Sequence, residues 1–372
     1  MTQAPPVDVA VVAPFAGSLY GIGASSGGAE VQSLHIVRAL AARGLAVRHV
    51  VAAPGGETLP ETGPEVIWMS PEYFSGGLAR RRALVAAVRS ANARVYIQRS
   101  ASFETGIVGA VARAGRRRFV FSSSSIVDFM LDPHTRETAG AGLESRLALQ
   151  QYRLGLRLAN AVVVQTEEQR DLARNRFGRD AIVIRSFGQP SPPGAPRPRR
   201  GFLWIGAFAE VKDPLSYVTL ARLVPEATFT MIGAERTGAE RLAAEVRAAA
   251  KETANLRLVE TPGRAAVLDA YESALAVVST SRFEGFPNTF LEAWARGTPV
   301  LSLRVDPDGI VEQHRLGAVG HGSLEALAVA ARSLTEAPPD EARSAELRRY
   351  VSEHHDSAVV GERWAQVVEG LL

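Results

Sequence analysis

Short apolar runs alternate with helical patterns along nearly the whole chain, and this alternation constrains the fold more than any other feature. Runs at 7–13, 45–52, 66–69, 94–98, 118–122, 161–164 and 182–184 read as strands. Helical patterns fill 78–88, 102–114, 143–159 and 167–177. Another helix opens at Gly27-Gly28-Ala29-Glu30, carries apolar Val31, Leu34, Ile36, Val37 and Leu40, and stops near Gly44. Continuous apolar strands suit a sheet covered on both faces, and strand–helix–strand order suits parallel pairing. The pattern breaks once, at 188–200, where five prolines and no periodicity mark a linker. It then restarts with strands at 202–205, 228–232, 256–259, 274–278 and 299–303, helices at 214–223, 235–250 and 265–271, and helices in the remainder. The expectation is α/β: two Rossmann-like, doubly wound domains facing across a cleft, at 1–187 and 201–355, joined by 188–200. Ligands of such sheets sit beyond the carboxyl ends of the strands.

Composition narrows the class. With no cysteine, disulfides and thiolate metal sites are excluded, and no run of 18 apolar residues offers a membrane span. The amino terminus lacks a charged-then-apolar leader, so a cytoplasmic enzyme is expected. Residues 1–200 carry 25 Lys+Arg against 15 Asp+Glu, whereas 201–372 carry 17 against 24. The basic first half suits either a solvated surface or peripheral contact with an anionic membrane face. No basic stripe is interleaved with stacking aromatics, so nucleic acid is not an expected partner. The stretch Gly21-Ile22-Gly23-Ala24-Ser25-Ser26 has only a superficial likeness to a dinucleotide fingerprint. Its glycines lie too far past the strand, and no acidic residue ends the next strand. Gly27 and Gly28 suit close backbone approach to a ligand at a helix start.

The stretch from Ser281 to Val300 holds the clearest chemistry. Pro287 suits the first helical position and Gly297 a left-handed stop, so Asn288, Thr289 and Phe290 would present backbone N–H groups to an anion. Glu284 lies in the preceding loop, and Glu292 lies on the helix face shared with Asn288 and Thr289. Leu291, Trp294 and Ala295 are left for the core. An anion at a helix start between two carboxylates suits a ligand with central phosphates and hydroxyls at both ends. A nucleotide sugar is such a ligand. Lys212 supplies a cation after the strand at 202–205, and it is one of two lysines against forty arginines. Asp306-Pro307-Asp308 has a metal-ligand spacing, but Asp308 reads as a helix cap. His354-His355 reads as a solvated helix surface. No metal is expected.

Together these residues resemble the family four retaining glycosyltransferases of the GT-B fold. Glu284 and Glu292 form a Glu-x7-Glu signature inside Glu-Gly-Phe-Pro-Asn, followed by Leu-Glu-Ala-Trp-Ala-Arg-Gly-Thr-Pro-Val. Gly27-Gly28-Ala29-Glu30 is similar to the first-domain glycine loop, the 161–170 segment to a late strand and helix, and Ile205-Gly206 through Lys212 to the turn opening the second domain. The resemblance implies Glu284 and Lys212 as catalytic residues, with Lys212 neutralising the diphosphate. It implies donor contacts from Gly27, Gly28, Gly206, Lys212, Gly285, Phe286, Pro287, Asn288, Thr289 and Glu292, with Glu292 on the ribose hydroxyls. It also implies that 356–372 packs back on the first domain.

The implied activity is transfer of a sugar from a nucleotide-sugar donor, a UDP-sugar, to a glycan, lipid-linked or small-molecule acceptor. This would serve polysaccharide or glycoconjugate synthesis, with the nucleotide sugar as substrate and no cofactor. Two departures stand out. Ala207 occupies a position where the family carries Arg, with Arg282 as a substitute cation, and the segment Phe119 to Asp128 lacks the family's histidine, although Asp128 and His134 lie close in sequence. The alternatives are a nucleotide-sugar-binding partner without turnover, or an epimerase or hydrolase on the same fold.

Overall fold

The computed structural model describes residues 5–22, 27–53, 64–130, 143–191, 198–236, 238–260 and 262–372. The glycine stretch at 23–26, His134 and the middle of the proline-rich segment lie outside the described residues. The chain divides into two compact units, Met1–Phe187 with Ser357–Leu372, and Gly188–Asp356.

The first unit is built on strands β1 (Val7–Val12), β2 (Val47–Ala52), β3 (Glu65–Met69), β4 (Ala93–Arg99), β5 (Arg118–Ser122), β6 (Ala161–Val164) and β7 (Ile182–Val183). They lie in the order β3-β2-β1-β4-β5-β6-β7, and every pairing is parallel. The apolar run of β1 has a direct reason. Val9 and Val11 pack with Ile36, Val37 and Leu40, whereas Ala10 and Val12 pack with Leu84, Val88 and Phe119. A strand with period two, covered by helices on both faces, has no polar side to show. The helix Ser357–Glu369 joins the first of these layers through Val360, Trp364 and Val368. Gly361 permits that approach, because a Cβ there would lie 2.9 Å from the Cβ of Ala39.

The loop after β5 is fixed by Asp128. Its Oδ1 accepts from the Ala101 N–H (3.1 Å), and Oδ2 accepts from Ser123 Oγ (2.9 Å), Ser124 N–H (2.7 Å) and Ser125 N–H (3.2 Å). Asp128 therefore acts as a staple for the serine-rich loop.

The second unit repeats the plan with β8 (Phe202–Phe208), β9 (Phe229–Glu235), β10 (Leu256–Glu260), β11 (Ala276–Ser279), β12 (Val300–Ser302) and β13 (Gly317–Val319). The order is β10-β9-β8-β11-β12-β13, again parallel throughout. Three expectations need correction. Strand β8 runs three residues beyond 205, and the helix expected from 235 begins at Glu240, because β9 continues to Glu235 opposite Phe208. Sheet pairing here overrides helical propensity. The carboxyl-terminal region is not helices alone, since β13 closes the sheet edge. Gly317 makes that pairing possible, because a Cβ would stand 1.8 Å from the Val300 carbonyl oxygen. Among the described residues, no helix is long and apolar enough to cross a membrane.

One buried and one partly buried histidine of the first unit, His49 and His35, set a pH dependence. Burial lowers His49 to about 3, and a hydrogen bond of 2.6 Å joins its Nδ1 to the Tyr20 hydroxyl oxygen. Burial, with Arg38 nearby, lowers His35 to about 4. Both folded values lie below the unfolded value of about 6.5, so the unfolded chain takes up protons first as pH falls. Their stabilising contribution is complete above about pH 6.5 and is lost progressively down to about pH 4 for His35 and about pH 3 for His49. Urea midpoints are expected to fall over that window, and His49→Gln is expected to flatten the fall. An unchanged slope in the variant would remove His49 from the account.

Candidate active site

The strand order of the second sheet reverses direction between β8 and β11, and ligands of open parallel sheets bind at the carboxyl ends of such a pair. The loops leaving these two strands are tied together. Trp204 Nε1 donates to Thr280 Oγ1 (3.0 Å), Thr280 Oγ1 donates to the Lys212 carbonyl (2.8 Å), and the Arg282 N–H donates to the Val211 carbonyl (2.8 Å). This lacing brings Lys212, on the short turn Glu210–Lys212, to Glu284, on the loop after β11. Lys212 Nζ pairs with Glu284 Oε1, and Ser281 Oγ donates to the same oxygen at 2.9 Å. The Lys212 side chain is 34 % exposed and that of Glu284 17 %, so the pair can be reached from solvent.

The motif helix spans Asn288–Trp294. Pro287 is its N-cap rather than its first helical residue, since a ψ of 122° is extended. The Phe290 N–H donates to the Pro287 carbonyl at 3.1 Å, so it is already engaged, contrary to the sequence expectation. Phe290, Leu291, Ala293 and Trp294 are buried, and Trp294 Nε1 donates to the Leu316 carbonyl at 3.0 Å. Glu292 is left on the exposed side, where Oε2 accepts from the Tyr271 hydroxyl at 2.6 Å. Burial, then the Glu292 charge, pushes the Tyr271 phenol well above its ordinary range, which keeps it a donor. Tyr271 is itself held by Thr298, whose Oγ1 donates to its carbonyl at 2.7 Å. Gly297 ends the segment with φ +71°, and its missing Cβ would lie 2.6 Å from that of Ser344.

The remaining predicted residues fall in distinct places. Gly206 lies inside β8, where a Cβ would stand 3.0 Å from the Trp204 indole. Ala207 follows it and is exposed. Gly285 and Phe286 are buried. The Phe286 ring lies 4.9 Å from that of His355, which is fully buried. His355 is thus no solvated residue: the helix ends at His354, and the next side chain turns into the core. Asp306, not Asp308, provides the cap, accepting from the Val311 N–H at 2.8 Å. Asp308 instead takes a left-handed φ of 55°. Arg282 lies 3.7 Å from Asp213, which also pairs with Arg304 at 3.1 Å. Gly27 and Gly28 belong to the first unit, as N-cap and first residue of the helix Gly28–Ala41. The Glu30 carboxylate covers Gly27, 2.9 Å from where a Cβ would stand.

Sequence reasoning missed Tyr271, Ser281, Thr280 and Asp213. Ser281 and Asp213 adjoin named residues, but Tyr271 lies 21 residues before Glu292 and looks like any apolar helix position.

Two family descriptions match the chain: "Glycosyl transferase 4-like domain" over residues 27–188 and "Glycosyl transferases group 1" over 199–337. Among solved structures, sucrose-phosphate synthase from Thermosynechococcus elongatus superposes with TM-score 0.78 at 17 % identity, covering 99 % of each chain. The Anabaena protein HepE, in complex with UDP and glucose, gives 0.73 at 14 %, covering 97 % of this chain and 99 % of its own. The chain is a glycosyltransferase of the GT-B type. A third neighbour of this GT-B glycosyltransferase is the pneumococcal O-GlcNAc transferase GtfA, in complex with UDP and GlcNAc, with TM-score 0.66 at 12 % identity and 99 % coverage of both chains. At such identities the likeness is one of fold. No curated protein sequence matches it.

Proposed function

We propose that this glycosyltransferase is a retaining enzyme that takes a UDP-sugar as donor, with the diphosphate beside Lys212 and the ribose on Glu292. The observation that carries the reading is the laced junction of β8 and β11, which brings the Lys212 ammonium to the Glu284 carboxylate at one sheet edge, with Glu292, held by Tyr271, on the helix that follows. The UDP complexes of two structural neighbours support the choice of base. In the reaction, the bond from the anomeric carbon to the diphosphate oxygen breaks, and its electron pair leaves with the diphosphate. The acceptor oxygen bonds to the anomeric carbon on the same face. Its proton passes to the departing phosphate oxygen, so no strong protein base is needed. Lys212 stabilises the charge that grows on the leaving group. Glu284, bound by Lys212 and Ser281, lies where donor hydroxyls would be oriented, and no resident metal is required by this scheme.

Incubation with UDP-, GDP- and ADP-sugars and an acceptor extract tests the reading. UDP release, with the donor's anomeric configuration kept in the product, is expected. Tight UDP binding without release from any donor would favour a binding protein, and release without an acceptor product a hydrolase. Glu292→Ala is expected to weaken UDP binding about tenfold or more, the worth of a charge-assisted hydrogen bond. Tyr271→Phe is expected to have a smaller effect in the same direction, since Glu292 keeps its charge but loses its guide. Calorimetric titration with UDP reads both, and wild-type affinity in Glu292→Ala would misplace the ribose.

A further inference from the structure

The helices Leu143–Leu158 and Glu167–Phe177 of the first unit, with Phe129, border a pocket of about 490 Å³. Four arginines, Arg153, Arg157, Arg176 and Arg179, line it together with apolar Phe129, Leu156 and Phe177. No carboxylate is among the described lining residues. Arg179 donates to the Ala159 carbonyl at 2.5 Å. None of the four forms an ion pair with a described residue. The contrast lies on the same helix: Arg170 pairs with Glu167 at 2.5 Å and Arg174 with Asp180 at 2.9 Å, whereas Arg176 faces the pocket unpaired.

Surface arginines ordinarily point apart into solvent. Four that line one pocket with no carboxylate among the described lining residues give it a positive potential, which a bound anion would offset. The guanidinium fork matches phosphate oxygens two at a time, and the volume is that of a small-ligand site. The aromatic and aliphatic lining residues contribute nothing to a bare ion but fit a hydrocarbon or ring attached to one. We propose that this pocket binds a phosphoryl group carried on an apolar or aromatic body. Two sources share that chemistry: the headgroup of an anionic phospholipid, and a free phosphorylated metabolite. The site lies wholly within the first unit and does not rest on the transferase reading.

The test uses the full chain with saturating UDP, so that the site proposed for the donor diphosphate is filled. Inorganic phosphate is titrated by calorimetry, and sedimentation is measured with phosphatidylcholine vesicles with and without phosphatidylglycerol. The double variant Arg157→Ala/Arg176→Ala removes two exposed side chains and is expected to melt as wild type in chloride. The wild type is expected to bind at least one of the two probes, and the double variant to bind it at least about tenfold more weakly. Loss of phosphate binding alone identifies the free metabolite, and loss of phosphatidylglycerol-dependent sedimentation identifies the lipid. Arg157→Lys/Arg176→Lys is expected to fall between them, since charge is kept but the fork is lost. Binding of neither probe by the wild type, or equal binding by the alanine variant, overturns the proposal. Because no sugar donor is present, either result leaves the transfer assay to be judged separately.

Discussion

Lys212→Ala is expected to slow sugar transfer by about 10²- to 10³-fold, the usual cost of removing one preorganised stabiliser of developing negative charge. The reason lies at the junction of β8 and β11. Arg282 and Arg304 both lie against Asp213, and Ala207 offers no charge. This leaves Lys212 as the ammonium facing Glu284. In the proposed reaction, removing it withdraws positive charge from the leaving diphosphate. It also leaves Glu284, with 17 % of its side chain exposed, with Ser281 as its side-chain partner among the described residues, a carboxylate that would face the proposed diphosphate without its counter-charge. UDP affinity is expected to change less than kcat, because the charge on the diphosphate grows during the reaction. Lys212→Arg is expected to recover part of the rate, limited by the different shape of guanidinium. Folding stability is expected to move little, since a partly exposed pair contributes little. Steady-state rates set beside UDP titrations check this, and wild-type kcat in Lys212→Ala would contradict it.

The second large effect concerns what holds the motif. Trp294→Ala is expected to destabilise the second unit by about 3–5 kcal/mol, the range for removing a large buried aromatic. Trp294 is fully buried, with the rings of Phe290 at 5.5 Å, Tyr350 at 5.7 Å and Phe286 at 6.4 Å. Its indole N–H binds the Leu316 carbonyl just before β13. A helix of seven residues has no stability of its own, so packing on this side chain keeps Glu292 in place. Trp294→Phe fills most of the space but leaves the Leu316 carbonyl without its donor, at a cost of about 1–3 kcal/mol. Urea unfolding followed by circular dichroism is expected to show a separate, earlier transition in the alanine variant. A single transition at the wild-type midpoint would contradict the packing argument.

Much of the fold is legible because burial on both sheet faces writes itself as apolar runs. The strands at 118–122 and 161–164 and the helices Pro214–Leu223 and Glu167–Phe177 stand where the alternation puts them. The elements that were not legible depend on partners distant in sequence. The end of β8 takes its conformation from β9, and β13 is three residues long and exists because β12 pairs with it. His355 looks polar in sequence, yet it packs against Phe286, some seventy residues earlier. At the candidate site, Glu284, Glu292 and Lys212 carry local signals. The hydroxyls that orient them, Tyr271, Thr280 and Ser281, gain meaning only when the two loops are laced together.

The central claim is that the carboxyl edge shared by β8 and β11 receives a nucleoside diphosphate. Hydrogen–deuterium exchange of the full chain with and without UDP tests it most directly. The account predicts slowed exchange at 209–213 and 281–292, the segments around Lys212, Glu284 and Glu292. Binding of UDP with no protection in either segment, or with protection confined to the first unit, would contradict it.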